Sequence, residues 1–134
     1  MSVELLRKYY RAFNDGDSAG MLALLSETVV HDVNQGEREV GSVQFAKFLK
    51  HMEESYSEQL VDLVVMGDAT GTRFAAEFTV VGRYLKADPG FPAARGQSYR
   101  LPAGAFFEVQ DGLITRVTTY YNLKDWLRQV GEVA

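Results

Sequence analysis

Apolar positions along the chain follow two rhythms, and the changes between them mark out its elements. Val3, Leu6, Tyr10 and Phe13 recur at helical spacing, with Leu5 and Tyr9 widening the stripe, and Asn14-Asp15-Gly16 stops that helix. Asp17 or Ser18 then caps a short second helix carrying Met21, Leu22, Leu24 and Leu25. A third helix opens at Ser42, with Phe45, Phe48, Leu49, Met52 and Tyr56 on its apolar side. Runs suited to strands are Thr28–Asn34, broken at Gln35-Gly36, then Leu60–Met66 and Gly71–Leu85, joined by the turn Gly67-Asp68-Ala69-Thr70. Gln97–Asn122 reads as one long hairpin about Asp111-Gly112, a pair that accepts the positive φ of a tight turn. A last helix covers Leu123–Val130, with Asn122 as its N-cap and Asp125 at the third position.

The hairpin is apolar on both faces, through Phe106, Phe107, Val109, Leu113, Ile114, Val117, Tyr120 and Tyr121. A sheet with one wet face alternates cleanly, so each face here is expected to meet something: helices on one side and a second subunit on the other. The order of elements predicts an α+β layer architecture, with helices on the concave face of a curved antiparallel sheet. Such a cone encloses a pocket of the kind that holds small molecules. The loop Lys86–Gly96, KADPGFPAARG, is long for a connection and is a candidate lid or interface element.

Composition narrows the function. A chain of 134 residues suits one domain, here taken as 1–134. Its net charge of −4, without a basic run, argues against nucleic acid as a partner. No cysteine is present, which removes thiol catalysis, disulfides and Cys-ligated zinc. No apolar run approaches membrane-spanning length, and the charged opening MSVELLRKYY is unlike a signal peptide, so a cytoplasmic location is expected. His31, Asp32 and His51 lack ligand spacing, and no metal site is expected.

Three segments carry a resemblance: YYRAFNDGD at the end of the first helix, SETVVHDVNQG, and AFFEVQDGLITRVTTYYNLKDWLRQVG. Together they resemble the ketosteroid isomerase-like, SnoaL-like superfamily, over essentially the whole chain. The resemblance implies the conical, cystatin-like fold of nuclear transport factor 2. It also implies a cofactor-independent isomerase or cyclase that abstracts a proton next to a carbonyl. In that frame Asp32 is similar to the family's general-base aspartate, and Tyr9 to its hydrogen-bond donor, with Tyr10 the alternative one residue on. The plain structural readings are a turn-forming Asp32 and a core aromatic at Tyr9.

The chain also departs from that pattern. The family's second, protonated carboxyl would fall near Gly104, and between Gln97 and Asp111 the lone acid is Glu108. The acid that cyclases place on the last strand would fall near Thr119. Tyr10, Asn34, Glu77, Tyr99, Thr119 and Tyr121 remain candidate substrate contacts, and His31 is expected to point away from Asp32, outward or toward a partner. The partners expected are a small apolar or aromatic molecule and a second copy of the chain, paired through the sheet face. A non-catalytic ligand pocket and a dimeric interaction module stand as the alternatives to an enzyme.

Overall fold

The computed structural model describes residues 3–131. Helix α1 (Val3–Asn14) ends where Gly16 takes a φ of +70°, and Asp17 accepts the Gly20 N–H at 2.9 Å to start α2 (Ser18–Leu22). Strands β1 (Leu25–Asp32) and β2 (Arg38–Val40) follow, then α3 (Ser42–Ser55). Four long strands complete the sheet: β3 (Tyr56–Gly67), β4 (Arg73–Tyr84), β5 (Gln97–Gln110) and β6 (Leu113–Tyr121). Helix α4 (Leu123–Val130) closes the chain, with the Asn122 side chain accepting the Asp125 N–H at 3.1 Å. The hairpin turns on Asp111 and Gly112, with φ of 53° and 79°.

The sheet runs β2-β1-β6-β5-β4-β3 and is antiparallel except where β1 lies parallel to β6. Two differences from the expected elements matter here. Leu24 and Leu25 leave the second helix, Leu25 opening β1, and the short polar strand Arg38–Val40 lies outside the expected set. On β3, Asp62 and Leu63 together oppose Phe78, and Asp62 takes a φ of 56°. That bulge bends the strand and deepens the curvature of the sheet.

Alternation along the strands separates an inner face from an outer one. Leu60, Val65, Phe74, Phe78, Val80, Phe107, Ile114 and Val117 point inward and bury against Leu6, Tyr9, Tyr10, Phe45 and Leu49 of the helices. The expected α+β cone, with helices on the concave face, is therefore the observed one. Beyond Pro102, β5 runs past the end of β6, and α4 covers its free edge: Gln129 accepts the Arg100 N–H at 2.8 Å and donates to the Arg100 C=O at 2.9 Å. This edge cap seats Trp126 inside the wide end of the cone, among Tyr56, Tyr84, Phe91 and Tyr99.

Candidate active site

A cleft of about 450 Å³ opens between the end of α1, α2, α3 and the first residues of β3. Phe13, Met21, Leu49, Met52 and Leu85 give it an apolar side, Tyr56 and Glu58 supply polar atoms within it, and Asp15, Asp17 and Glu53 add further carboxylates to its lining. Glu58 is on the inner face because it alternates with Tyr56 and Leu60 along β3. Its carboxylate accepts the Tyr99 hydroxyl at 2.5 Å. Enclosure raises the Glu58 pKa above the ordinary value, and the Tyr99 hydrogen bond only partly offsets that. Tyr99 is raised in turn, first by burial and then by the Glu58 charge. A carboxyl at a cleft wall with a raised pKa is both a better base than a free carboxylate and able to carry a proton.

A second polar group lies at the same end of the cone. Asp88 accepts the Tyr56 hydroxyl at 2.7 Å on one oxygen, and its other oxygen lies 3.0 Å from His51 Nε2. Tyr121, the last residue of β6, stands opposite Ala103 on the inner face, and its pKa is raised by burial, then by Glu58 and Asp88. No hydrogen bond to its hydroxyl is present among the described residues. Tyr121 is therefore a donor with its proton to spare.

The residues expected from the chain divide sharply. Tyr99 and Tyr121 join the Glu58 cluster, Thr119 shares their inner face opposite Ala105, and the Asn34 amide donates to the Tyr121 carbonyl at 3.5 Å. Tyr9 and Tyr10 are instead packed into the core, edge-on to Phe107 at 5.7 and 5.9 Å, and neither lines the cleft. Glu77 is exposed on the outer face, opposite Gly104 and Val64. Asp32 also faces outward: Arg38 donates to it through Nε at 2.6 Å and Nη2 at 3.2 Å, and Thr118 through its hydroxyl at 2.6 Å. These donors hold its pKa down at about 2, so both oxygens are occupied on the face opposite the cleft. Arg116 continues the same outer network, donating to Glu108 at 2.7 Å.

His31 takes the inward place expected of Asp32. It is 5% exposed, with its ring centroid 4.6 Å from that of Phe45 and 4.5 Å from that of Phe48, and its Nδ1 is buried without a partner. Burial lowers its pKa to about 4, which keeps it neutral. With His31 and Asp32 on opposite faces they cannot converge on one ion, and no cluster of three or more metal-ligating side chains occurs among the described residues. Glu58, Asp88 and Tyr56 were not among the expected site residues. The signal for Glu58 was the period-two alternation Tyr56, Glu58, Leu60, which extends the third strand back to the end of α3.

Comparison with known proteins places the chain in a family. The family model described as a SnoaL-like domain matches residues 6–117. A candidate polyketide cyclase from Pseudomonas putida is 58% identical in sequence, with 96% of each chain covered and a TM-score of 0.94. A second, from a Silicibacter species, is 55% identical over 96% of this chain and 94% of that one, with a TM-score of 0.94. An NTF2-like protein of unknown function from Burkholderia pseudomallei is 18% identical over 98% of this chain and 100% of that one, and its TM-score of 0.80 shows the shared fold. No curated protein sequence matches. No described helix is long and apolar enough to cross a membrane. Matched over most of its length, the chain belongs to the SnoaL-like family and has an NTF2-like fold.

Proposed function

We propose that the protein is a cofactor-independent enzyme of the isomerase or cyclase type that moves a proton at a carbon next to a carbonyl. Glu58 is the group that carries the proton, in place of Asp32. The observation that supports this is a carboxyl on the wall of a cleft with one apolar side, its pKa raised by enclosure and its position fixed by Tyr99. The kinship with candidate polyketide cyclases agrees with such chemistry.

In the first step the Glu58 carboxylate takes a proton from the carbon, and the C–H electron pair passes into an enolate. Tyr121, with a free hydroxyl, donates to the developing oxyanion. In an isomerisation the protonated Glu58 returns the proton to a second carbon. In a cyclisation the enolate carbon attacks another carbonyl of the same molecule, and the alkoxide so formed takes the proton back. Either route needs one base and one donor, and the apolar side favours a small, flat, apolar or aromatic ketone.

The test is deuterium exchange into a panel of enolisable aryl ketones and β-diketones, followed by NMR. Glu58→Gln is nearly isosteric and is expected to lose roughly 100-fold or more in exchange rate while staying folded. Asp32→Asn is expected to exchange at the wild-type rate. Equal exchange by wild type and Glu58→Gln, or wild-type exchange no faster than in buffer, overturns the reading. Ligand binding without exchange then becomes the function of the cleft.

A further inference from the structure

We propose that the loop Lys86–Gly96 is a strap that holds Trp126 against Tyr99, behind the Glu58–Tyr99 pair, and that Asp88 is its catch, held by His51 and Tyr56. This rests on the reading of Glu58 given above. The strap joins β4 to β5; its ends are held by backbone bonds from Lys86 to the Ser55 carbonyl and from Gly96 to the Tyr84 carbonyl, and Gln97 donates to the Ala93 carbonyl at 2.8 Å. Asp88 bridges α3 and β3 through His51 Nε2 at 3.0 Å and the Tyr56 hydroxyl at 2.7 Å. The Tyr84 hydroxyl accepts the Asp88 N–H at 2.9 Å and donates to the Pro92 carbonyl at 2.7 Å. Phe91 lies edge-on to Trp126, with 5.3 Å between ring centroids.

Beneath the strap the contacts run straight to the site. Trp126 packs edge-on to Tyr99 at 6.0 Å, and Tyr99 holds Glu58. The other end of the catch is Tyr56, which lines the cleft itself. With the catch made, Tyr56 is tied to Asp88 and Trp126 is pressed onto Tyr99. With it broken, the Tyr56 hydroxyl turns free at the cleft wall and Trp126 is no longer pressed onto Tyr99.

The strap lies outside the ladder of the sheet. Gly90 and Gly96 hold φ of +85° and +83°, a region that other residues enter with strain, and Pro89 and Pro92 bring no N–H for ladder bonds. Its catch consists of side chains at an open edge, where His51 is 42% exposed. Asp88 is therefore a positioning residue: it sets where Tyr56 and Trp126 stand and touches no reacting atom.

Trp126 is the one tryptophan of the chain and is 4% exposed, so its fluorescence reports the strap without any substrate. In the full-length protein, Asp88→Ala and His51→Ala are expected to raise acrylamide quenching of Trp126 roughly twofold or more, with melting close to wild type, as for a local opening. Asp88→Asn keeps one acceptor oxygen and is expected to fall between. Glu58→Gln leaves the catch intact and is expected to quench as the wild type does, which separates failure of the strap from failure of the base. Wild-type shielding in folded Asp88→Ala overturns the proposal. An increase in Asp88→Ala with none in His51→Ala overturns the part given to His51.

Discussion

Tyr99 and Glu58 stand two strands apart, and the tyrosine hydroxyl reaches the carboxylate across the bare backbone of Gly82. Glu58 on β3 pairs with Gly82 on β4, and Gly82 with Tyr99 on β5. A Cβ at Gly82 would lie 2.5 Å from Tyr99 Cζ and 2.6 Å from its hydroxyl oxygen. Glycine is required here by the ring above it, because the φ of Gly82 is not among the positive ones. Gly82→Ala is thus predicted to push Tyr99 off Glu58. Overpacking of this kind costs about 1–3 kcal/mol, so a lower melting temperature should accompany a fall in exchange activity as large as that of Tyr99→Phe. Wild-type activity in a folded Gly82→Ala variant would show that Tyr99 has no part in setting Glu58.

His31 predicts a loss of stability on mild acidification. Its pKa is about 4 in the folded chain against an ordinary value of 6.5. Above the higher value the imidazole is neutral in both states and its burial carries no ionic penalty. As the pH falls from 6.5 toward 4, the unfolded chain takes up the proton and the folded chain does not, so stability declines across that window by up to about 3 kcal/mol. His31→Phe keeps an aromatic ring between Phe45 and Phe48 and removes the titration. Urea midpoints at pH 7 and pH 5 are expected to separate for the wild type and to converge for the variant.

Asp32 predicts a different window. Its pKa of about 2 lies below the ordinary 3.8, so its contribution is present above 3.8 and is lost as the pH falls through 2. Asp32→Asn gives up the paired donation from Arg38, and its melting temperature should fall slightly at pH 7 while converging with the wild type near pH 2. Exchange activity should be unaffected, since the side chain stands on the face away from the cleft. A large loss of activity in this variant would return Asp32 to the mechanism.

These residues also show why parts of the site were legible in the chain and parts were not. The hairpin, α4 and the ends of α1 were readable because each depends on a local signal: Asp111-Gly112, Asn122 with Asp125, and Gly16. Alternation placed His31 and Asp32 on opposite faces but could not say which face was inner, because each shares its side with a valine, Val29 or Val30. Pairing with distant β6 decided it, setting His31 beside Val117 and Asp32 beside Thr118. Glu58 was hidden in the polar run Ser57-Glu58-Gln59, where α3 passes directly into β3 and the apolar pattern alone begins the strand at Leu60. A strand as short and polar as β2 carries no periodic signal at all.

The outer face of the sheet carries the last prediction, a homodimer. Phe106 and Tyr120 form an edge-on pair at 5.9 Å and are 47% and 56% exposed. Val64 and Met66 on β3 are exposed on the same face. So much apolar surface on one side of a sheet is characteristic of an interface. The charges around it come in both signs, with Arg73 and Arg83 on the same face of β4 as Glu77. A two-fold arrangement can set each acid of one copy against an arginine of the other, which suits the self-complementary pairing of closed dimers. Light scattering at tens of micromolar, on the order of the concentrations at which such interfaces are filled, should give the dimer mass for the wild type. Phe106→Asp puts a charge at the centre of the face without touching the core, since Phe106 alternates with the inward Phe107 and Ala105. That variant should stay folded by circular dichroism and scatter as a monomer. A wild type that is already monomeric, or a folded Phe106→Asp that remains dimeric, would move the interface elsewhere and leave this apolar face without a partner.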